Sequence, residues 1–173
     1  MSKGQRFVVI LSFGTSMKIA LLQTGKTADK NISEVVDLYT GRIRKYSAFE
    51  IITLPDIKNV RNMTVQEQKK KEGKKIIQSI GVDDYVILLD ERGKELRTVE
   101  FSGLAEKIFM LPKKRVLFVI GGPWGFSDEV YSRSAFMLSL SKMTFPHQLV
   151  RLLFLEQLYR IFTIIKGEPY HHE

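Results

Sequence analysis

The chain contains no cysteine, which excludes a disulfide framework, a thiolate nucleophile and any cysteine-based zinc or iron–sulfur site. Histidine is scarce as well. The three present are His147, His171 and His172, so few side chains can move a proton near neutral pH. No apolar run approaches the roughly 18–20 uncharged residues that would cross a bilayer, so no membrane span is expected. No Gly-x-Gly-x-x-Gly follows any apolar run, which removes the dinucleotide fingerprint. Internal repeats and low-complexity linkers are also missing. With 173 residues, 44% of them hydrophobic, the chain is long enough for one well-packed domain and too short for two.

Positive charge, by contrast, is plentiful. Lys and Arg number 27 against 19 Asp and Glu, a net charge of +8, and the isoelectric point is about 9.6. Such an excess favours a polyanionic partner, nucleic acid first and an anionic membrane surface second; a basic surface without a partner fits it too. The charge gathers in Arg42-x-Arg44-Lys45, in Lys69-Lys70-Lys71 with Lys74-Lys75, and in Lys113-Lys114-Arg115. Clusters of this kind hold phosphates without reading sequence. The 69–75 run reads equally well as the solvated face of a helix.

Residues 1–16 superficially suggest a signal peptide, with Lys3 and Arg6 ahead of Phe7 to Leu11. The apolar stretch is too short and no Ala-x-Ala-like site follows. They are treated as a leader or extension without assigned function, ahead of one domain over 17–173.

From Met17 onward strand and helix signals alternate. Lys18 to Leu22 is an apolar run ended by Gly25, and Asp29 to Tyr46 carries Ile32, Val35, Val36, Tyr39 and Ile43 at helical spacing. Phe49 to Leu54 reads as a strand stopped by Pro55. Thr64 and Glu67 have capping-box spacing and open a helix to about Ile80. Tyr85 to Leu89 is a buried-strand run ending at Asp90, and Phe101 to Met110 is a short helix closed by Pro112. Val116 to Ile120 is a second buried strand, ending in Gly121-Gly122-Pro123. Ser127 is placed to cap another helix. Met137 to Phe145 is mixed, and a long helix runs from His147 to about Ile165.

This alternation, with near-continuous apolar strands, predicts an α/β domain around a mostly parallel sheet flanked by helices. Ligands bind such sheets at the carboxyl ends of strands, which here carry Gly25, Asp90 and Gly121. The final helix is apolar around more than one stripe, from Leu149 to Ile165. Either it is a deeply buried core helix or a second copy of the chain covers part of it.

Two nucleotide-site patterns are weak. Ala20-x-x-x-x-Gly25-Lys26-Thr27 satisfies a loose phosphate-loop pattern, but Leu21 and Leu22 belong to the strand and Ala stands where the first glycine is needed, so no glycine-rich cradle exists. Gly121-Gly122-Pro123-Trp124-Gly125 suits either a plain tight turn or a backbone approach to a flat ligand.

Four segments read in order remove that ambiguity: Leu88 to Lys94, Phe118 to Gly125, Leu138 to His147, and Glu168-Pro169-Tyr170-His171. Together they closely resemble the bacterial SPOUT-class methyltransferases that act on N3 of a pseudouridine in 23S ribosomal RNA. The start Met17-Lys18-Ile19 and the stretch Leu149 to Arg160 extend the match over residues 17–173. The resemblance implies a single SPOUT-type domain with a C-terminal trefoil knot, a topology that periodicity cannot predict because threaded chains are nearly absent from ordinary folds. It also implies a cytoplasmic homodimer, no metal, 23S rRNA within the ribosome as partner, and S-adenosyl-L-methionine as cofactor.

By position, the resemblance gives Leu89, Gly121, Ser141, Lys142, Met143, Thr144, Phe145 and Pro146 as cofactor contacts. Leu89 would wall the adenine, and the loop's main-chain groups would meet its edge. Tyr170 and His171 take the catalytic positions, contacting the target base from the tail, within one chain or across the dimer. His147 is a structural or supporting residue at the start of the last helix. Arg151 and Arg160 fall on that helix's polar side, suited to a phosphate or a cofactor carboxylate. The competing functions are a SPOUT methyltransferase for another RNA and a non-catalytic ribosome-binding factor.

Overall fold

Strand β1 (Lys18–Thr24) is buried over five consecutive residues, Ile19 to Gln23, because it lies inside the sheet and has helices on both faces. In the computed structural model, which describes residues 17–171, five strands pair in the order β2-β1-β4-β3-β5. The others are β2 (Phe49–Leu54), β3 (Asp84–Glu95), β4 (Arg115–Ile120) and β5 (Phe136–Ser139). All four pairings are parallel, so every crossover carries a helix. The leader assigned to residues 1–16 lies outside the described residues, as do His172 and Glu173.

The helices are α1 (Lys30–Ile43), α2 (Val65–Ser79), α3 (Thr98–Phe109), α4 (Asp128–Arg133) and α5 (His147–Lys166). Side chains alternating along the strands feed two cores. Ile19, Leu21, Ile87, Val116 and Phe118 pack with residues of α1, α3 and α5. Ala20, Leu22, Val86, Leu117 and Val119 pack with Ile76 of α2 and Val130 of α4. Helix α5 buries Phe154, Leu155, Leu158, Ile161 and Phe162 completely in the first core. That stripe makes it a core helix within one chain.

Local signals hold at several helix starts. Asp29 caps α1 by accepting from the Ile32 N–H at 3.1 Å, and Thr64 with Glu67 forms the expected capping box of α2. Ser127 precedes α4 but makes no side-chain cap. Its Oγ is pressed against Gly73, where an added Cβ would stand 2.1 Å away, so close packing of α2 on α4 overrides the cap.

Three expectations need correction. Asp90 does not end its strand: β3 runs on to Glu95, with an irregularity that pairs both Leu89 and Lys94 with Leu138. The partner there is β5, the first part of the segment expected to be mixed; four residues are too few to show a period. Arg151 is not on a polar face. It is 3% exposed, turned inward against the end of β1, because the backbone there supplies acceptors that solvent would otherwise provide.

Candidate functional site

The register brings together segments far apart in sequence. Leu89 pairs with Ile120 on one side and with Leu138 on the other, so Leu89, the Gly121 turn and the chain entering the Ser141–Pro146 loop lie side by side. The first turn of α5 then closes this end. Gln148 Oε1 accepts from the N–H groups of Ala28 and Asp29 at 2.8 and 2.9 Å. Arg151 donates to Thr27 Oγ1 at 3.0 Å and to the Thr24 carbonyl. Burial lowers the Arg151 pKa. Burial, and then the Arg151 charge, lower that of half-buried His147 one turn before it, which favours the neutral imidazole.

The Ser141–Pro146 loop is shaped by short contacts. Met143 donates its N–H to Ser141 Oγ at 2.9 Å, Ser139 Oγ donates to the Ser141 carbonyl at 3.1 Å, and Lys142 Nζ reaches the Glu91 carbonyl at 3.0 Å. Pro146 takes two helix-starting bonds, from Leu149 and Val150. The N–H groups of Lys142, Thr144 and Phe145 have no partner among the described residues. Leu89 is 9% exposed beside them. An apolar wall next to free main-chain donors suits a flat heteroaromatic ligand.

Helix α2 fixes the other side of the site, which the sequence reading missed. Glu72 Oε1 accepts the Gly122 N–H at 2.5 Å, and Gln68 Oε1 accepts the Trp124 indole N–H at 3.1 Å. Burial raises the Glu72 pKa, and the Gly122 N–H partly opposes it. Gly125 closes the turn in the left-handed region, φ 75°, where glycine carries no steric cost. A Cβ on Gly121 would meet the Phe126 ring at 2.9 Å, so that glycine is required by packing whatever it binds. One signal could have found Glu72. Gln68, Glu72 and Ile76 recur every four residues, which puts a carboxylate on the stripe of the buried Ile76.

Asp90, expected as a strand end, has a structural occupation. It accepts from the Tyr131 hydroxyl at 2.6 Å and from the Arg92 N–H at 2.8 Å, while the Arg92 guanidinium lies 4.6 Å from the Tyr131 ring centroid.

The remaining expected residues lie elsewhere. The Tyr170 ring meets Tyr159 edge-on at 4.8 Å, with the Arg160 guanidinium 4.9 Å from its centroid. Its hydroxyl stands 3.4 Å from both the Tyr39 hydroxyl and Glu156. Arg160 is ion-paired with Glu156, and half-buried His171 follows Tyr170. The hydrogen bond with Tyr39, followed by burial, pushes the Tyr170 phenol up to about 12. Tyr46 donates to Glu168 at 2.5 Å and anchors the tail. Tyr159 is twelve residues after His147 on α5, about 18 Å along the helix axis. Within one chain, Leu89, Gly121, Ser141–Pro146, His147 and Arg151 therefore share one end, and Arg160, Tyr170 and His171 do not join them.

Residues 17–171 match the family model described as Predicted SPOUT methyltransferase. The chain belongs to the SPOUT methyltransferase family. Among curated relatives, the ribosomal RNA large subunit methyltransferase H of Flavobacterium psychrophilum is 50% identical, over 91% of this chain and 100% of its own length. That of Parabacteroides distasonis is 48% identical with the same coverage. A more distant structural neighbour, a probable methylase family protein from Haemophilus influenzae, shares 13% identity with a TM-score of 0.45, covering 87% of this chain and 66% of that one. SPOUT methyltransferases are enzymes that use S-adenosyl-L-methionine as methyl donor. The Leu89 wall and the unpartnered main-chain donors of the 141–146 loop fit the adenine end of that molecule. Among the described residues, no cluster of three or more His, Asp or Glu is placed to hold a metal, and no helix is long and apolar enough to cross a membrane.

Proposed function

We propose that this protein methylates N3 of a pseudouridine in 23S ribosomal RNA, using S-adenosyl-L-methionine, on assembled ribosomes in the cytoplasm. The observation that carries the reading is the match over the whole length of relatives named ribosomal RNA large subunit methyltransferase H. The grouping of Leu89, Gly121 and the Ser141–Pro146 loop at one end of a parallel sheet supports it. Leu89 walls the adenine, Gly121 and the main chain of Ser141, Lys142, Met143, Thr144, Phe145 and Pro146 border it, and the C-terminal segment carries the family's knot. Next to the loop, His147 opens α5 and Arg151 ties that helix to the segment after β1.

The cofactor supplies an electrophilic methyl group, and the protein supplies alignment. An imide nitrogen becomes strongly nucleophilic once its proton leaves. Tyr170, held protonated, donates a hydrogen bond to the base, and a ring nitrogen of His171 accepts the N3 proton. Because the tail sits about 18 Å along α5 from its own loop, it serves the cofactor loop of a second copy. The active form is a homodimer in which one chain holds the cofactor and the other presents Tyr170, His171 and Arg160.

The test is methyl transfer from labelled cofactor to ribosomes carrying either uridine or pseudouridine at the target. Label entering pseudouridine at N3, with intact ribosomes preferred over isolated rRNA, is expected. No incorporation into ribosomes would overturn the substrate. Equal rates on isolated rRNA would remove the requirement for the assembled particle.

A further inference from the structure

Of the three basic clusters in the sequence, the fold puts one at the end of the sheet that carries the cofactor loop. Arg42, Arg44 and Lys45 lie at the finish of α1, ahead of β2, and Lys113 to Arg115 lead into β4; both belong to the amino ends of the strands. Their charges are also largely engaged. Arg42 lies 5.1 and 5.5 Å from the ring centroids of Tyr39 and Tyr159, Arg44 bonds the Phe49 carbonyl at 3.1 Å, Lys114 pairs with Asp83 at 3.6 Å, and Arg115 bonds Asp84.

The third cluster differs. The segment leaving the carboxyl end of β2 faces α2 across an open groove of about 440 Å³, lined by Pro55, Asp56, Lys58, Lys71, Lys74 and Lys75 among others. Lys75 spans it, donating to the Pro55 carbonyl at 2.8 Å. Lys58, Lys71 and Lys74 make no salt bridge among the described residues. The one carboxylate in the lining, Asp56, is packed against Gly25, whose added Cβ would stand 2.5 Å from Asp56 Oδ1. On the neighbouring stripe of the same helix, Gln68 and Glu72 hold the Gly121–Gly125 turn. Helix α2 thus joins a concave, unpaired cationic surface to the wall of the cofactor site.

We infer that this groove takes the phosphodiester backbone of the substrate RNA and leads the strand toward the cofactor turn. Three ammonium groups around one concavity suit successive phosphates, which attract lysines as point charges without demanding bidentate geometry. The inference rests on the RNA methyltransferase reading above and names the surface it needs.

The test compares the full-length protein with a Lys71→Glu/Lys74→Glu variant and a Lys113→Glu/Lys114→Glu control, with folding of each confirmed by thermal melting. On ribosomes, the groove variant should raise KM by about tenfold or more at low salt. Its dependence of log kcat/KM on log salt should flatten by roughly 1.4 for two lost contacts to a single strand. Cofactor affinity by calorimetry should stay at the wild-type value, and the control should keep the wild-type KM. An unchanged KM and salt slope in the groove variant, or an equal effect in the control, overturns the inference. If the wild-type protein does not methylate ribosomes, the substrate reading is what fails, and fluorescence anisotropy with a labelled single-stranded RNA decides the groove. Weaker binding by the Lys71/Lys74 variant alone upholds it, and equal affinities remove it. If Lys71→Glu/Lys74→Glu unfolds, the Lys71→Gln/Lys74→Gln variant is measured in its place, with half the expected slope change or more required.

Discussion

Glu72 and Gly122, fifty residues apart in sequence, meet in a 2.5 Å hydrogen bond from the Gly122 N–H to the carboxylate. It joins α2 to the turn after β4, beside the proposed cofactor site. The approach is close: a Cβ on Gly122 would lie 2.3 Å from Glu72 Oε2, so any larger residue must displace the carboxylate.

Glu72→Ala leaves a partly buried N–H without its partner, which costs about 1–3 kcal/mol. Gly122→Ala pushes the carboxylate aside and loses the same bond. The two effects are therefore shared, and the double variant should be destabilised by clearly less than the sum, a coupling measurable by chemical denaturation. Strict additivity would mean that the bond contributes nothing. Calorimetry should also show weaker cofactor binding in each single variant.

The raised pKa of Glu72 carries a pH signature. The folded state retains the proton to higher pH than the unfolded state. Stability from this group is therefore present at low pH and lost as pH rises from the ordinary value of 4.5 to the raised one. Glu72→Gln should flatten that decline in denaturation profiles, although it perturbs the Gly122 bond. An unchanged profile would contradict the assignment.

His147 works in the opposite sense. Burial and the Arg151 charge depress its pKa, so it stabilises the fold while neutral, above 6.5, and the contribution is lost as pH falls through the depressed value. NMR titration should find the imidazole below 6.5, and Arg151→Met should move it upward. A His147 titrating at or above its ordinary value would disagree with this packing.

Gly93 is the buried residue of the β3–β5 irregularity. A Cβ there would come within 2.7 Å of the Met137 and Leu138 backbone, which cannot step aside as a side chain can. Gly93→Ala should cost roughly 1–3 kcal/mol by separating the strands. Because Leu138 leads into the 141–146 loop, it should weaken cofactor binding too. A neutral melting temperature would show that the strands can part freely.

The proposed sharing of the active site between two chains is open to complementation. A variant lacking residues 170–173 and a variant with a ruined cofactor loop, Ser141→Trp, should each be inactive on ribosomes, the first with normal cofactor affinity. Mixed dimers of the two contain one intact site, formed by one chain's loop and the other's tail. Activity should return toward about a quarter of wild type in an equimolar mixture, one intact site in every second dimer by random pairing. No recovery with confirmed exchange would place loop and tail of one chain at the same site.

Much of this protein is written locally in its sequence. The apolar runs at Ile19–Leu22, Val86–Leu89 and Val116–Ile120 dictated buried parallel strands, because residues covered on both faces cannot alternate. Asp29 and the Thr64/Glu67 pair marked helix starts through bonds that span three residues. The ordered motifs around Leu89, Gly121 and Ser141–Pro146 carried the family. Tertiary structure alone decided what those motifs touch. Glu72 looked like one charge in a lysine-rich, solvated helix until the fold set it against Gly122. Arg151 looked solvent-facing until the end of β1 supplied its acceptors, and Ser127 lost its cap to the approach of Gly73. Local sequence encodes bonds between near neighbours, whereas burial and long-range partners depend on which strand lies beside which. That order, β2-β1-β4-β3-β5, is also what set the lysine groove, rather than the other basic clusters, beside the Gly121–Gly125 turn.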